Sequence, residues 1–261
     1  EVFEAYDRLF GLSQHGWLNI QALQLNIPYR DGPEMVAIFN RIRALIPYLV
    51  AVTAASPFVE GSLTPRIDNR VIYYRANQRR MPAICHGVIP ERIACVADYE
   101  AIQAGICSDL QRAGAEMLCR EWVNSRGVIV RFSRQCLEIK AIDEQECIRS
   151  DMAVTAFILP LLRAKDLELE EEETALHALL DTAIDRGTED LRPELLRLYA
   201  AAERSATRDE RSYLPTVKRR IEEGSVGELM VREFRDTQDL PSLVASLGDC
   251  LRTNQPYFGS P

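Results

Sequence analysis

Residues 19–29 read NIQALQLNIPY. From Ala22 the stretch alternates, with Leu23, Leu25, Ile27 and Tyr29 on one face and Ala22, Gln24, Asn26 and Pro28 on the other. That period of two is the mark of a half-buried strand. The second face carries amides where a solvated face would carry Lys, Glu or Arg. Gln24 and Asn26 are two positions apart, so their side chains point the same way at roughly 6–7 Å separation. Each can both donate and accept hydrogen bonds. Either a helix covers this face and the amides satisfy one another and their surroundings, or the face is the floor of a polar pocket.

A second strand repeats the pattern. In residues 136–143, Cys136, Glu138 and Lys140 share one face while Leu137, Ile139 and Ala141 share the other. Ionisable groups flanked by core residues cannot be buried unpaired without a cost of about several kcal/mol. Glu138 and Lys140 must therefore form a structural pair or meet a ligand or metal. Between the two strands, Asp31 and Glu34 have the spacing of a helix-opening capping box. Met35, Ile38, Phe39, Ile42, Leu45, Ile46 and Leu49 then form the buried stripe of a helix that Pro47 should kink or split. Residues 56–70, SPFVEGSLTPRIDNR, form a long connection of the kind that often carries function. It ends on Arg70, which is either a surface arginine or an anion-binding one, because its planar fork suits phosphate or carboxylate. His15, in a turn at residues 13–16, carries no further signal.

The rest of the chain reads as helix with few strands. A helix is expected at 2–12, stopped by Gly11, and another at 98–113. Residues 117–123 and 128–132 look like strands beside 136–143, with a hairpin turn at 124–127. After the apolar helix 147–164, the acidic run 168–173 opens a helical, charged segment, where carboxylates complement a helix start. This divides the chain into residues 1–164 and 165–261.

Composition excludes several classes. A net charge of −8 at 261 residues argues against nucleic acid or an anionic membrane as partner, since both need a basic footprint. No apolar stretch reaches the roughly 18 residues of a membrane span. Seven cysteines show no CxxC spacing and three histidines do not cluster with them, which disfavours zinc. A reduced, cytoplasmic setting is expected.

Taken in order, these pieces resemble the bacterial carboxylate–amine ligases of the glutamate–cysteine ligase type. Members have a strand of the form Gln-x-His-Val or Gln-x-Asn-Leu, matched by Gln24-Leu-Asn26-Ile. A helix with a proline in its second half follows, then Ser-Pro-aromatic-x-x-Gly, matched by Ser56 to Gly61, and an arginine matched by Arg70. A later strand, Thr-x-Glu-x-Arg-x-x-Asp, is matched from Cys136 to Asp143, and a late Asn-x-Pro by Asn254-Gln255-Pro256.

The resemblance implies an α+β, glutamine-synthetase-like fold: an antiparallel sheet with helices packed on one face, followed by an all-helical C-terminal segment. It implies ATP as co-substrate, Mg2+ or Mn2+ as cofactor, glutamate or a related carboxylate, and an amine or amino acid as acceptor. Glu138 and Asn26 would be metal ligands, while Arg70 and Lys140 would act in catalysis and, with Gln24, bind substrate or nucleotide. Asp143 would be an anchor, and the protein could be a homo-oligomer. Three positions depart from the pattern, with Cys136 for Thr, Lys140 for Arg and Asn26 for the commoner His. Members also carry strands with further glutamates ahead of the region matching Glu1. A relative that binds nucleotide or amino acid without catalysis, or serves as a structural partner, stays open beside the ligase.

Overall fold

The structure, a computed structural model, describes residues 1–12 and 20–259. His15 and Asn19 lie outside the described residues. In chain order the elements are α1 (Val2–Phe10), β1 (Ala22–Pro28), α2 (Gly32–Thr53), β2 (Phe58–Val59), β3 (Ser62–Leu63), α3 (Asn69–Asn77) and α4 (Val96–Arg112). Then come β4 (Val128–Arg131), β5 (Cys136–Asp143), α5 (Ile148–Arg163), α6 (Glu173–Arg186), α7 (Arg192–Ser205), α8 (Arg208–Arg211), α9 (Leu214–Glu223), α10 (Val226–Thr237) and α11 (Leu240–Thr253). The protein is thus α+β, with far more helix than strand. Two compact units form from interleaved stretches: residues 1–46, 70–141 and 171–177 make the first, and 47–69, 142–170 and 178 onward make the second.

The first unit holds the sheet, in the order β1-β5-β4. β4 and β5 run antiparallel, pairing Val128 with Ile139, Ile129 with Glu138, Val130 with Leu137 and Arg131 with Cys136. Directly paired residues share a face. Val128, Val130, Leu137, Ile139 and Ala141 therefore form an apolar face, and Ile129, Arg131, Cys136, Glu138 and Lys140 a polar one. Tyr99 of α4 ties helix to sheet, since its hydroxyl accepts from the Val130 N–H at 2.9 Å while its ring meets Phe39 of α2 edge-on at 5.5 Å. Gly127 marks another close approach: a Cβ there would stand 2.7 Å from Ile46 Cδ1 and 2.9 Å from the Val88 carbonyl.

Residues 117–123 are not a strand. They form two 3-10 turns, Glu116–Leu118 and Glu121–Val123. Leu118 and Val123 drop into a core with Tyr6, Phe10, Ile84, Ile106 and Leu110, and Cys119 is joined by a disulfide to Cys107 of α4. The apolar pattern there reflects burial against helices, and the expectation of uniformly reduced cysteines does not hold for this pair. α2 is not split at Pro47 but runs on through it. It is long and apolar enough to cross a membrane, but 72% of its apolar window is buried inside the protein. That is the behaviour of a core helix.

In the second unit α5 packs against α7, α8 and α9, and α10 against α11. Ser225 and Thr207 open α10 and α8 as capping boxes with Glu228 and Glu210. Inside the loop 56–70 the sequence makes a tight hairpin, pairing Phe58 with Leu63 and Val59 with Ser62. Its two tip residues, Glu60 and Gly61, have φ of 50° and 75°, the left-handed pair that a type I′ turn requires.

Candidate functional site: a cavity beside the polar face of the sheet

β5 is buried along its whole length, whereas Gln24 and Asn26 of β1 are exposed. Among the described residues no helix covers the two amides, which does not support the helix-covered reading of that face. Asn26 Oδ1 accepts from Cys136 Sγ at 3.3 Å, which puts Gln24 and Asn26 on the face that carries Glu138 and Lys140.

The charges on that face have protein partners. The Glu138 carboxylate is ion-paired with Arg131, which also lies 3.5 Å from Glu121. Lys140, only 9% exposed, donates from Nζ to the carbonyls of Trp122 at 3.2 Å and Asn124 at 3.1 Å. Burial pushes its pKa down to about 8, against the pull of the Glu138 carboxylate.

Arg70 is 5% exposed, so it is not a surface arginine. It sits in the first turn of α3 and donates to the Lys140 carbonyl at 3.4 Å and the Ala141 carbonyl at 2.5 Å. Its guanidinium also lies over the Tyr74 ring, 5.9 Å from the centroid. Arg70, Lys140 and Gln24 line one cavity of about 210 Å³, closed further by Tyr6 and Trp122. These two rings stack at 5.8 Å, which fixes the wall that also presents the Trp122 carbonyl to Lys140. Of the candidate residues, Gln24, Arg70 and Lys140 meet at this cavity, while Glu138 and Asn26 lie on the same sheet face and are not among its lining residues.

Arg131, Trp122, Asn77 at the end of α3 and Gln78 just beyond it were not singled out by the sequence. Arg131 had a readable signal. In VIVRF it is the lone charge of an apolar strand, which calls for a counter-ion on the neighbouring strand. Asn77 and Gln78 had none, because their segment mixes helix and turn signals.

In the second unit the loop 56–70 is pinned by polar groups. The Ser56 hydroxyl sits between carboxylates, 3.0 Å from Asp143 Oδ2 and 3.3 Å from Asp68 Oδ1, and the Ala55 N–H donates to Asp143 at 3.0 Å. Asn69 closes the loop by donating from Nδ2 to the Ser56 carbonyl and to Thr64 Oγ1, both at 2.7 Å.

The donors that magnesium needs are oxygen ligands, mainly carboxylates. Among the described residues no group of three or more His, Cys, Asp and Glu side chains could hold a metal. Glu138 already faces a guanidinium, and Asn26 Oδ1 faces a thiol. Glu138 and Asn26 as they stand do not fit a magnesium site.

The fold and site thus define an α+β protein with a small cation-bearing cavity beside a polar sheet face. The chain belongs to the glutamate-cysteine ligase family 2, whose model matches residues 2–246. A protein of Archaeoglobus fulgidus named "Uncharacterized protein" is 50% identical over 98% of this chain and 70% of its own length. "Putative glutamate--cysteine ligase 2-2" of Rubrobacter xylanophilus is 24% identical over 92% of this chain and 65% of its own length. "Putative glutamate--cysteine ligase 2" of Bdellovibrio bacteriovorus is 26% identical over 94% and 68%. The chain spans about two thirds of the length of these relatives.

Proposed function

We propose that the protein is an ATP-dependent carbon–nitrogen ligase that joins a carboxylate to an amine, on a glutamine-synthetase-like sheet. The observation that carries this reading is the family match over residues 2–246, together with the meeting of Gln24, Arg70 and Lys140 at one cavity. In the reaction, an oxygen of the carboxylate attacks the γ-phosphorus of ATP and ADP leaves. The amine nitrogen then attacks the acyl carbon, the C–O bond to phosphate breaks, and the nitrogen loses a proton as the amide forms. Charge grows on oxygens in both steps, and fixed cations in a site shielded from water stabilise such charge most. Arg70 and, below about pH 8, Lys140 supply them here. Gln24 at the rim can donate to a carboxylate and accept from an amine. No step is routed through Glu138 or Asn26. The test is ADP release by the full chain with ATP, glutamate and a panel of amines including cysteine. Amine-dependent release is expected, and release that ignores the amine would sink the reading.

A second reading is favoured by the Arg131–Glu138 pair, which occupies the carboxylate the family pattern would turn to a cation. The protein would then bind nucleotide or amino acid without turnover. Calorimetric titration with ATP distinguishes the two, since binding without any ADP release supports only this one.

A further inference from the structure

Three side-chain oxygens on α3 and just beyond it are buried without a partner among the described residues, Tyr74 Oη, Asn77 Oδ1 and Gln78 Oε1. The Tyr74 hydroxyl can donate as well as accept, whereas the two amide oxygens can only accept. Asn77 is 3% exposed and Gln78 1%, and neither Asn77 Oδ1 nor Gln78 Oε1 receives a hydrogen bond. The orientation of Gln78 is fixed by its neighbours. Ser125 donates its hydroxyl to the Val123 carbonyl at 3.0 Å, so it must accept from Gln78 Nε2 at 3.3 Å, which turns Oε1 away from Ser125. Both residues line the cavity that Arg70, Lys140 and Gln24 also line. A buried acceptor without a donor costs about 1–3 kcal/mol, so a pair beside one cavity calls for a group that brings N–H or O–H.

The cations of the same lining have the opposite requirement. Lys140 has three donors and two are taken by the Trp122 and Asn124 carbonyls, which leaves one. Among the described residues no carboxylate lines the cavity. We propose that Asn77 Oδ1 and Gln78 Oε1 form the recognition edge for the primary ammonium group of a small amino compound, whose acceptor end lies toward Lys140 and Arg70. Neutral amide oxygens can bind an ammonium without neutralising the two cations that hold the other end. This assignment rests on the reading of the cavity as a substrate pocket, and it deepens that reading by naming the residues that select an amine.

The test is binding to the full chain, read by calorimetry and by the thermal unfolding midpoint, and it needs no turnover. The probes are glutamate, glutarate, which lacks only the amino group, and ethylammonium. The variants are Asn77→Leu, Gln78→Met and the shape-preserving Gln78→Glu, each checked for an unchanged circular dichroism spectrum. Native protein should prefer glutamate over glutarate by about 10-fold or more, as expected for loss of one hydrogen-bonded ionic contact. Asn77→Leu and Gln78→Met should shrink that preference towards unity, and Gln78→Glu should tighten ethylammonium by about 10-fold. If glutamate fails to bind but ethylammonium stabilises the chain in a Gln78-dependent way, the ammonium edge stands and the glutamate reading falls. If glutamate binds and the preference survives both apolar variants, the edge is wrong and the ligase reading stands. Binding of none of the probes to the native chain overturns the proposal.

Discussion

At the scale of single residues, the polar face is decided by how Glu138 and Lys140 are compensated. Lys140 titrates near pH 8 because burial disfavours its charge, against about 10.4 for an exposed lysine. Below pH 8 the folded and unfolded chains both carry the proton, and the folded chain bears the full burial cost. Between pH 8 and about 10.4 the unfolded chain holds more protons, so the stability contributed by this group rises with pH. Compared with Lys140→Met, the native protein should gain up to about 3 kcal/mol across that window. Urea unfolding of both proteins at pH 7 and pH 10 measures it, and parallel pH profiles would show that Lys140 is not held in a desolvated site. Arg131 gives a second case. Arg131→Met leaves Glu138 buried without its cation and should cost about 3–5 kcal/mol, most of which the double variant with Glu138→Leu should recover. A double-mutant cycle showing additive losses would mean the two side chains do not interact. The alternation in residues 136–143 made the face of Glu138 and Lys140 legible in the sequence. Of their partners only Arg131 carries a signal in the sequence, as the lone charge of an apolar strand, because the Trp122 and Asn124 carbonyls are backbone groups that any residue could supply.

At the scale of elements, the loop 56–70 shows how a motif can be read without its conformation. Ser56, Phe58 and Gly61 belong to the Ser-Pro-aromatic-x-x-Gly pattern, and the type I′ tip at Glu60–Gly61 is what that glycine serves. Gly61→Ala should therefore cost about 1 kcal/mol from backbone strain alone, because the nearest side-chain atom, on Leu240, is 4.0 Å from the new Cβ. Gly227→Ala should cost more for the opposite reason. Its Cβ would stand 2.8 Å from Ile67 Cγ2 and 3.0 Å from the Ala54 carbonyl, backbone that cannot move aside cheaply. Thermal unfolding ranks the two, and an equal or reversed order would contradict the packing of α10 on the loop. Strong periodicity made β1, α2, β5 and α5 readable. It misled at residues 117–123, where apolar residues at strand-like spacing are buried by helices and held by the Cys107–Cys119 disulfide. At a sequence separation of 12 and with no paired-cysteine spacing, those two sulfurs meet only once α4 and the following turns are in place.

At the scale of the whole molecule, family membership and a cavity lined by both cations and unpartnered oxygens support the proposed chemistry. Order along the chain was legible, because strand, helix, loop, arginine and second strand recur in sequence and spacing. The assembly of each unit from separated stretches was not, since no composition shift marks residues 46, 70 or 141. The claim that joins these levels is transfer of the γ-phosphoryl group of ATP to a carboxylate before the amine attacks. Glutamate labelled with oxygen-18 in its γ-carboxylate tests it, with the released phosphate analysed by mass spectrometry. One labelled oxygen in each phosphate, appearing only when ATP and an amine are both present, is the expected result. Phosphate that carries no label while the amide product forms would contradict the acyl-phosphate chemistry.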